Sequence, residues 1–134
     1  MWGNETILVA EDEPALQELI RIVLTKAGYT VLAVRNGAEA LGLLSSNNGA
    51  ADLLITDVVM PGGLGARQLA DAASAIRPGI RPLFMTGYAG EKLSDQLLAS
   101  GNVLLTKPFD SSLLLRKVRE ILDRDTRAKG ATGE

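Results

Sequence analysis

Three carboxylates, one hydroxyl and one lysine stand where they could share a task. Glu11 and Asp12 follow the apolar run Thr6-Ile7-Leu8-Val9-Ala10, and Asp57 follows Leu53-Leu54-Ile55-Thr56. Thr86 ends the run Pro82-Leu83-Phe84-Met85, and Lys107 follows Val103-Leu104-Leu105-Thr106. Carboxylates packed together repel one another unless a cation joins them. An oxygen-only set suits a hard ion such as Mg²⁺, which keeps several waters beside one or two carboxylates. A lysine supplies a point charge and a hydroxyl one hydrogen bond, the usual companions of a phosphoryl group. An ionised aspartate in that company can attack phosphorus and form an acyl phosphate. The metal, the lysine and nearby amides would stabilise the charge on the transferring oxygens.

Each residue taken singly has a plainer reading. Asp12 or Glu13 before Pro14 can cap a helix, and Asp57 can form a turn ahead of Pro61. Thr86 can bond its strand neighbours, and Lys107 can be a solvated charge. What favours the shared task is their arrival together, from four of five apolar runs.

Composition narrows the chemistry further. The 134 residues fit one domain with a single core, and a net charge of −2 gives no basic surface for nucleic acid. The absence of cysteine removes disulfides and thiolate metal sites, and the absence of histidine removes Ser/His triads, imidazole ligands and an internal phosphohistidine. No apolar run approaches the roughly 18 residues of a membrane span. The start, MWGNET, lacks the parts of a signal peptide, so a cytoplasmic location is expected.

The elements that must position these groups alternate in type. After the first strand, Pro14 suits a first helical turn, and Leu16, Leu19, Ile20, Val23, Leu24 and Ala27 follow at helical spacing until Gly28. Tyr29–Val34 reads as a second strand, Asn36 as the N-cap of a short helix through Leu44, and Leu53–Asp57 as a central strand covered on both faces. Helices are expected over 66–76, with Leu69, Ala73 and Ile76 on one face, and over 91–100. Asp110 caps a last helix that turns Leu114, Val118, Ile121 and Leu122 inward. From Arg124 the sequence has no periodicity and is expected to be a disordered tail or linker, 124–134, after a folded domain over 1–123. Five strands alternating with five helices predict an α/β fold, a doubly wound parallel sheet in three layers. In such a sheet the carboxyl ends share one edge, where open α/β sheets bind ligands.

The segments ILVAEDEP, LLITDVVMPGG, LFMTGYA and LLTKPF resemble the signature blocks of response-regulator receiver domains of two-component signalling. The likeness spans roughly residues 5 to 122, and its wording is nearest to receivers of hybrid sensor histidine kinases. It implies the flavodoxin-like strand order 2-1-3-4-5. It makes Asp57 the phosphoacceptor, with Glu11, Asp12, Asp57 and the backbone carbonyl of Val59 as Mg²⁺ ligands. Thr86 becomes the switch hydroxyl, Lys107 the phosphoryl-binding cation, and the bond before Pro108 is expected to be cis. The phosphodonor would be a histidine kinase or its phosphohistidine domain. The face formed by the helix over 91–100, the fifth strand and the last helix would serve a downstream protein, an attached domain or, weakly, a second copy of the chain. The expected role is signalling rather than enzymatic turnover, without nucleic acid or membrane as partner.

Some positions depart from the family's habit. Leu104 stands where an aromatic ring usually couples to the switch hydroxyl, and the loop GGLGARQ lacks a common acid and carries extra glycines that favour mobility. Val59 and Tyr88 offer no acid or amide to orient an attacking water, so slow self-dephosphorylation is expected. The double change Val59→Asn, Tyr88→Glu should shorten the phosphoryl lifetime in a phosphate-release assay, and an unaltered lifetime would overturn this expectation.

Two other functions fit less well. An aspartate-nucleophile phosphatase of the haloacid-dehalogenase type needs D-x-D after the first strand, where Glu11-Asp12-Glu13 stands. A flavin or dinucleotide binder needs glycine in that turn, and none is there.

Overall fold

A computed structural model describes residues 3–46, 50–58, 65–87, 96–97 and 99–132, with side chains as far as Arg124. Five strands form one parallel sheet: β1 (Thr6–Ala10), β2 (Thr30–Val34), β3 (Leu53–Asp57), β4 (Arg81–Thr86) and β5 (Val103–Thr106). Their order is β2-β1-β3-β4-β5, as expected. Four helices stand among the described residues against the five expected: α1 (Pro14–Lys26), α2 (Gly37–Ser45), α3 (Ala66–Ile76) and α4 (Ser111–Thr132). The expected helix over 91–100 lies largely outside the described residues, of which Gln96, Leu97 and Ala99 are helical.

Alternation along the strands divides the core. Ile7 and Val9 of β1, with Ile55, Leu83 and Leu105, meet Ile20 and Leu24 of α1 and Leu114, Val118 and Ile121 of α4. Leu8 and Ala10, with Leu54, meet Ala40 and Leu44 of α2 and Leu69 and Ala73 of α3. The apolar runs are continuous because both faces of the sheet are covered. Leu83 is fully buried at the centre of the first group. Leu83→Ala should cost about 2–5 kcal/mol in urea-unfolding stability, since a packed site relaxes only partly around the void.

Local chemistry sets the boundaries. Pro14 occupies the first turn of α1, whose N-cap Glu13 accepts from the Leu16 amide at 2.6 Å. Gly28 follows α1 at φ 102°, and a Cβ there would run into the main-chain oxygen of Gly3. Asn36 caps α2 by accepting from the Glu39 amide at 2.8 Å, and Asp110 caps α4 by accepting from Leu113 at 2.8 Å. Pro82 sits inside β4 without a broken ladder. The Arg81 amide bonds Asp52 on the β3 side, so the next residue faces β5, whose pairing begins only at Leu83 with Val103.

Two expectations change. Leu19, at the helical spacing of α1, and Ile76, on one face with Leu69 and Ala73, are 47% and 36% exposed, because each lies at the rim of its helix's buried stripe. From Arg124 to Thr132 the backbone continues α4 where the sequence places a structureless tail. Residues of good helical propensity extend a helix already nucleated upstream, and a Glu120–Arg124 pair spans one turn at 3.4 Å. Leu122 is the last buried side chain described.

At the amino ends of the strands, the Arg119 guanidinium of α4 donates to Glu5 at 3.0 and 3.2 Å and to the Tyr29 hydroxyl at 3.2 Å. It also pairs with Asp123 on its own helix, which with the Tyr29 and Glu5 contacts holds its pKa above the ordinary arginine value against the pull of partial burial. Among the described residues no helix is long and apolar enough to cross a membrane.

Candidate functional site

Strand register assembles the carboxyl edge. Ala10 pairs with Thr56, so Glu11 and Asp57 leave adjacent strands side by side. Asp57 pairs with Met85 and Thr86 with Thr106, which puts Thr86 one step and Lys107 two steps beyond Asp57 on the other flank. Main-chain bonds from Val58 to Met85 and from Lys107 to Thr86, each 2.8 Å, carry the ladder past the last paired residues.

The side chains converge on Asp57. Its carboxylate is nearly buried and its Oδ1 is in direct contact with the Lys107 ammonium. Lys107 also reaches Glu11 Oε1 at 3.5 Å. Carboxylate oxygens of Glu11, Asp12 and Asp57 all lie within 4.8 Å of one another, with Glu11 and Asp57 buried and Asp12 exposed. The Glu13 amide donates to Glu11 Oε2 at 2.9 Å. The Thr86 hydroxyl, also buried, donates to the Gly87 carbonyl at 2.8 Å. The peptide bond between Lys107 and Pro108 is cis, as expected.

The electrostatics show what this crowding does. Burial, followed by the hydrogen bond and charge of Asp57, pushes the Glu11 carboxyl up to about 8, while the Glu13 amide and Lys107 pull it down. Burial alone would lower the Lys107 ammonium. The hydrogen bond and charge of Asp57, with Glu11 behind it, outweigh that and hold Lys107 above the ordinary lysine value. One lysine does not neutralise three carboxylates, and burial beside Asp57 favours the protonated form of Glu11 when no cation is bound. An all-oxygen set short of positive charge fits a hard divalent cation.

Every sequence-predicted side chain of the site is therefore on the same edge: Glu11, Asp12, Asp57, Thr86 and Lys107. Val59, named as a backbone ligand, and Tyr88 lie outside the described residues, as do the first three residues of the loop GGLGARQ, whose last four begin α3 with Gly65 as its N-cap. Leu104 pairs with Phe84 and packs against a buried group of Val58, Ala66, Phe84 and Leu97, just beneath Thr86. Beside Lys107, a groove of about 570 Å³ runs between Leu16 and Leu19 of α1 and Pro108 and Phe109. That groove had no sequence signal beyond the apolar residues on α1.

A parallel sheet ordered 2-1-3-4-5, with three acids and a lysine at its carboxyl edge, defines a class of phosphoryl-handling α/β domains. The sequence matches the family described as response regulator receiver domain over residues 7–119, and the chain belongs to that family of two-component signalling proteins. It is 35% identical over 117 residues to the response regulator receiver protein CpdR of Brucella abortus strain 2308, covering 87% of this chain and 95% of that one. It is 33% identical over 123 residues to the sensor kinase CckA of the same organism, covering 91% of this chain but only 13% of that protein. A crystal structure of a response regulator receiver protein from Sinorhizobium medicae WSM419 superposes with a TM-score of 0.79 at 31% identity, covering 91% of this chain and 97% of that one. The chain thus spans nearly all of some relatives and a small part of others.

Proposed function

We propose that the chain is a phosphoacceptor switch in a phosphorelay, with Asp57 as the residue that is phosphorylated. The observation that carries this reading is the buried Asp57 carboxylate held against Lys107 where Glu11 and Asp12 converge. Attack of an Asp57 oxygen on phosphorus forms the acyl–phosphate bond as the bond to the donor breaks. With a phosphohistidine donor the electron pair leaves on the imidazole nitrogen. Lys107, already on Oδ1, follows the charge onto the phosphoryl oxygens, and Thr86 turns its hydroxyl from Gly87 toward them. Glu11, Asp12 and Asp57, with the Val59 carbonyl, would hold Mg²⁺, which when bound neutralises charge on the phosphoryl group.

The donor is a histidine kinase or its phosphohistidine domain. The groove bounded by Leu16, Leu19 and Phe109 offers apolar contact area beside Lys107 for such a protein. Phosphorylation adds about −1.5 to −2 charge by analogy with other phosphorylated side chains, and drawing Thr86 inward moves β4. With Leu104 in the apolar group under β4, the movement passes through packing of Phe84, Leu97 and Leu104 rather than through rotation of an aromatic ring. The readout face is then β5 with its flanking helices. The chemistry is confined to the chain's own aspartate, without turnover of a free substrate, and this reading places the chain in the cytoplasm. A receiver carried within a hybrid histidine kinase is the second reading, favoured by the 33% identity to CckA.

Incubation with acetyl phosphate and Mg²⁺ tests the reading. One phosphoryl group per chain, stable in acid and labile in base, is the expected result. Repeated turnover would favour a phosphatase, and no adduct would remove the switch.

A further inference from the structure

We infer that Gln17 is a positioning residue for the cation site, its amide holding the turn that carries Glu11 and Asp12 against the end of β2. This rests on the reading of that site as a Mg²⁺ site. Gln17 lies in the second turn of α1, its backbone amide bonded to the N-cap carbonyl of Glu13 at 3.0 Å. Side chains on a helix lean toward its N-terminus, so Gln17 reaches back over the turn between β1 and α1. There its Nε2 donates to the Val34 carbonyl at 2.8 Å and to the Glu11 carbonyl at 3.1 Å. Both contacted atoms are acceptors, which fixes the amide nitrogen as the end that faces them.

The two bonds complete a clamp. Val34 is the last residue of β2, and its carbonyl also accepts from the Glu11 amide at 3.0 Å. Both main-chain polar groups of Glu11 are thereby held, its N–H by Val34 and its carbonyl by Gln17. The Glu11 side chain is left to turn toward Asp57 and Lys107. Without the amide, the Glu11 carbonyl of this partly buried turn loses the Gln17 donor, and the bond from the Glu11 N–H to Val34 alone ties the Glu11 main chain to β2, so the turn gains freedom to rotate. Two of the three carboxylates of the cluster sit on that turn, so its rotation spoils their common geometry. Groups that orient ligands in this way typically matter 10–100-fold in metal affinity.

Gln17→Met keeps the length and helical propensity of the side chain and removes both donors. Isothermal titration should show Mg²⁺ binding weakened by about tenfold or more. In the metal-free protein, hydrogen exchange at the Glu11 amide should quicken while the β3 amides hold. With acetyl phosphate, the Mg²⁺ concentration for half-maximal rate should rise by the same factor, with the maximal rate unchanged. Arg21→Gln, which breaks only the exposed pair with Glu18 on the same helix, should alter none of these readouts. Unchanged Mg²⁺ affinity or unchanged Glu11 exchange in Gln17→Met overturns the inference, and so does an equal loss in Arg21→Gln. Should the parent chain take up no Mg²⁺ at all, the functional reading fails, and Glu11 exchange alone then decides whether Gln17 holds the turn.

Discussion

Asp57→Asn abolishes the phosphoryl adduct: intact-mass measurement after acetyl phosphate and Mg²⁺ should show no added group on the variant. The change keeps the size of the side chain and an oxygen for Lys107 to contact, so the fold and the Lys107 position should survive. It removes the negative charge that makes the group a nucleophile, and a neutral amide oxygen has no comparable reactivity toward phosphorus. It also removes one of the three carboxylates that gather cationic charge at the site. Circular dichroism matching the parent would show that lost chemistry, not lost structure, is responsible. An adduct that persists in Asp57→Asn and resists base would be a phosphoester on a hydroxyl such as Thr86, and would overturn the assignment of Asp57.

Stability of the metal-free protein should fall as pH rises from about 4.5 to about 8, and Mg²⁺ should flatten that slope. The Glu11 carboxyl moves from an ordinary 4.5 to about 8 on folding, by burial first and by Asp57 second. Between those values the native chain binds a proton that the unfolded chain has lost. The contribution is therefore complete below the unfolded value and is lost as pH passes through the folded one. A single proton bounds the slope at about 1.4 kcal/mol per pH unit. A cation on the same carboxylates favours the ionised form, so Mg²⁺ affinity should climb with pH, at most tenfold per unit, and level off above about 8. Urea denaturation across pH with EDTA or with Mg²⁺ measures both halves. A flat metal-free profile would mean that Glu11 is ionised in the native protein at neutral pH. In Glu11→Gln the slope should vanish.

The broad fold was legible because each element announces itself locally. Pro14, Asn36 and Asp110 mark helix starts through bonds to residues a few positions on, and the apolar runs of β1, β3, β4 and β5 need no partner to be recognised. The site residues were legible for a related reason: strand ends are local features, and a parallel sheet sends its carboxyl ends to one edge. What escaped depends on distant pairs. Nothing near Gln17 says that its amide meets Val34, since that contact exists only once β2 lies beside β1. The raised pKa of Glu11 likewise comes from burial, and then from Asp57, 46 residues away, both of which exist only once the strands are in register. Leu19 shows the limit of periodicity, because a residue at the rim of a helical stripe has the right spacing for burial without a neighbour to bury it.

The Arg119 contacts with Glu5 and Tyr29 join residues 114 and 90 positions apart. Such contacts form only after nearly the whole chain has been brought into place, because closing so long a loop costs entropy before any bond is made. They should therefore form late in folding, after the sheet that they tie together, and an Arg119→Ala φ-value near zero would check this. A bond absent from the folding transition state leaves the rate of folding alone and slows the rate of opening. The worth of this brace accordingly lies in how long the native receiver persists between unfolding events, not in how quickly it is reached.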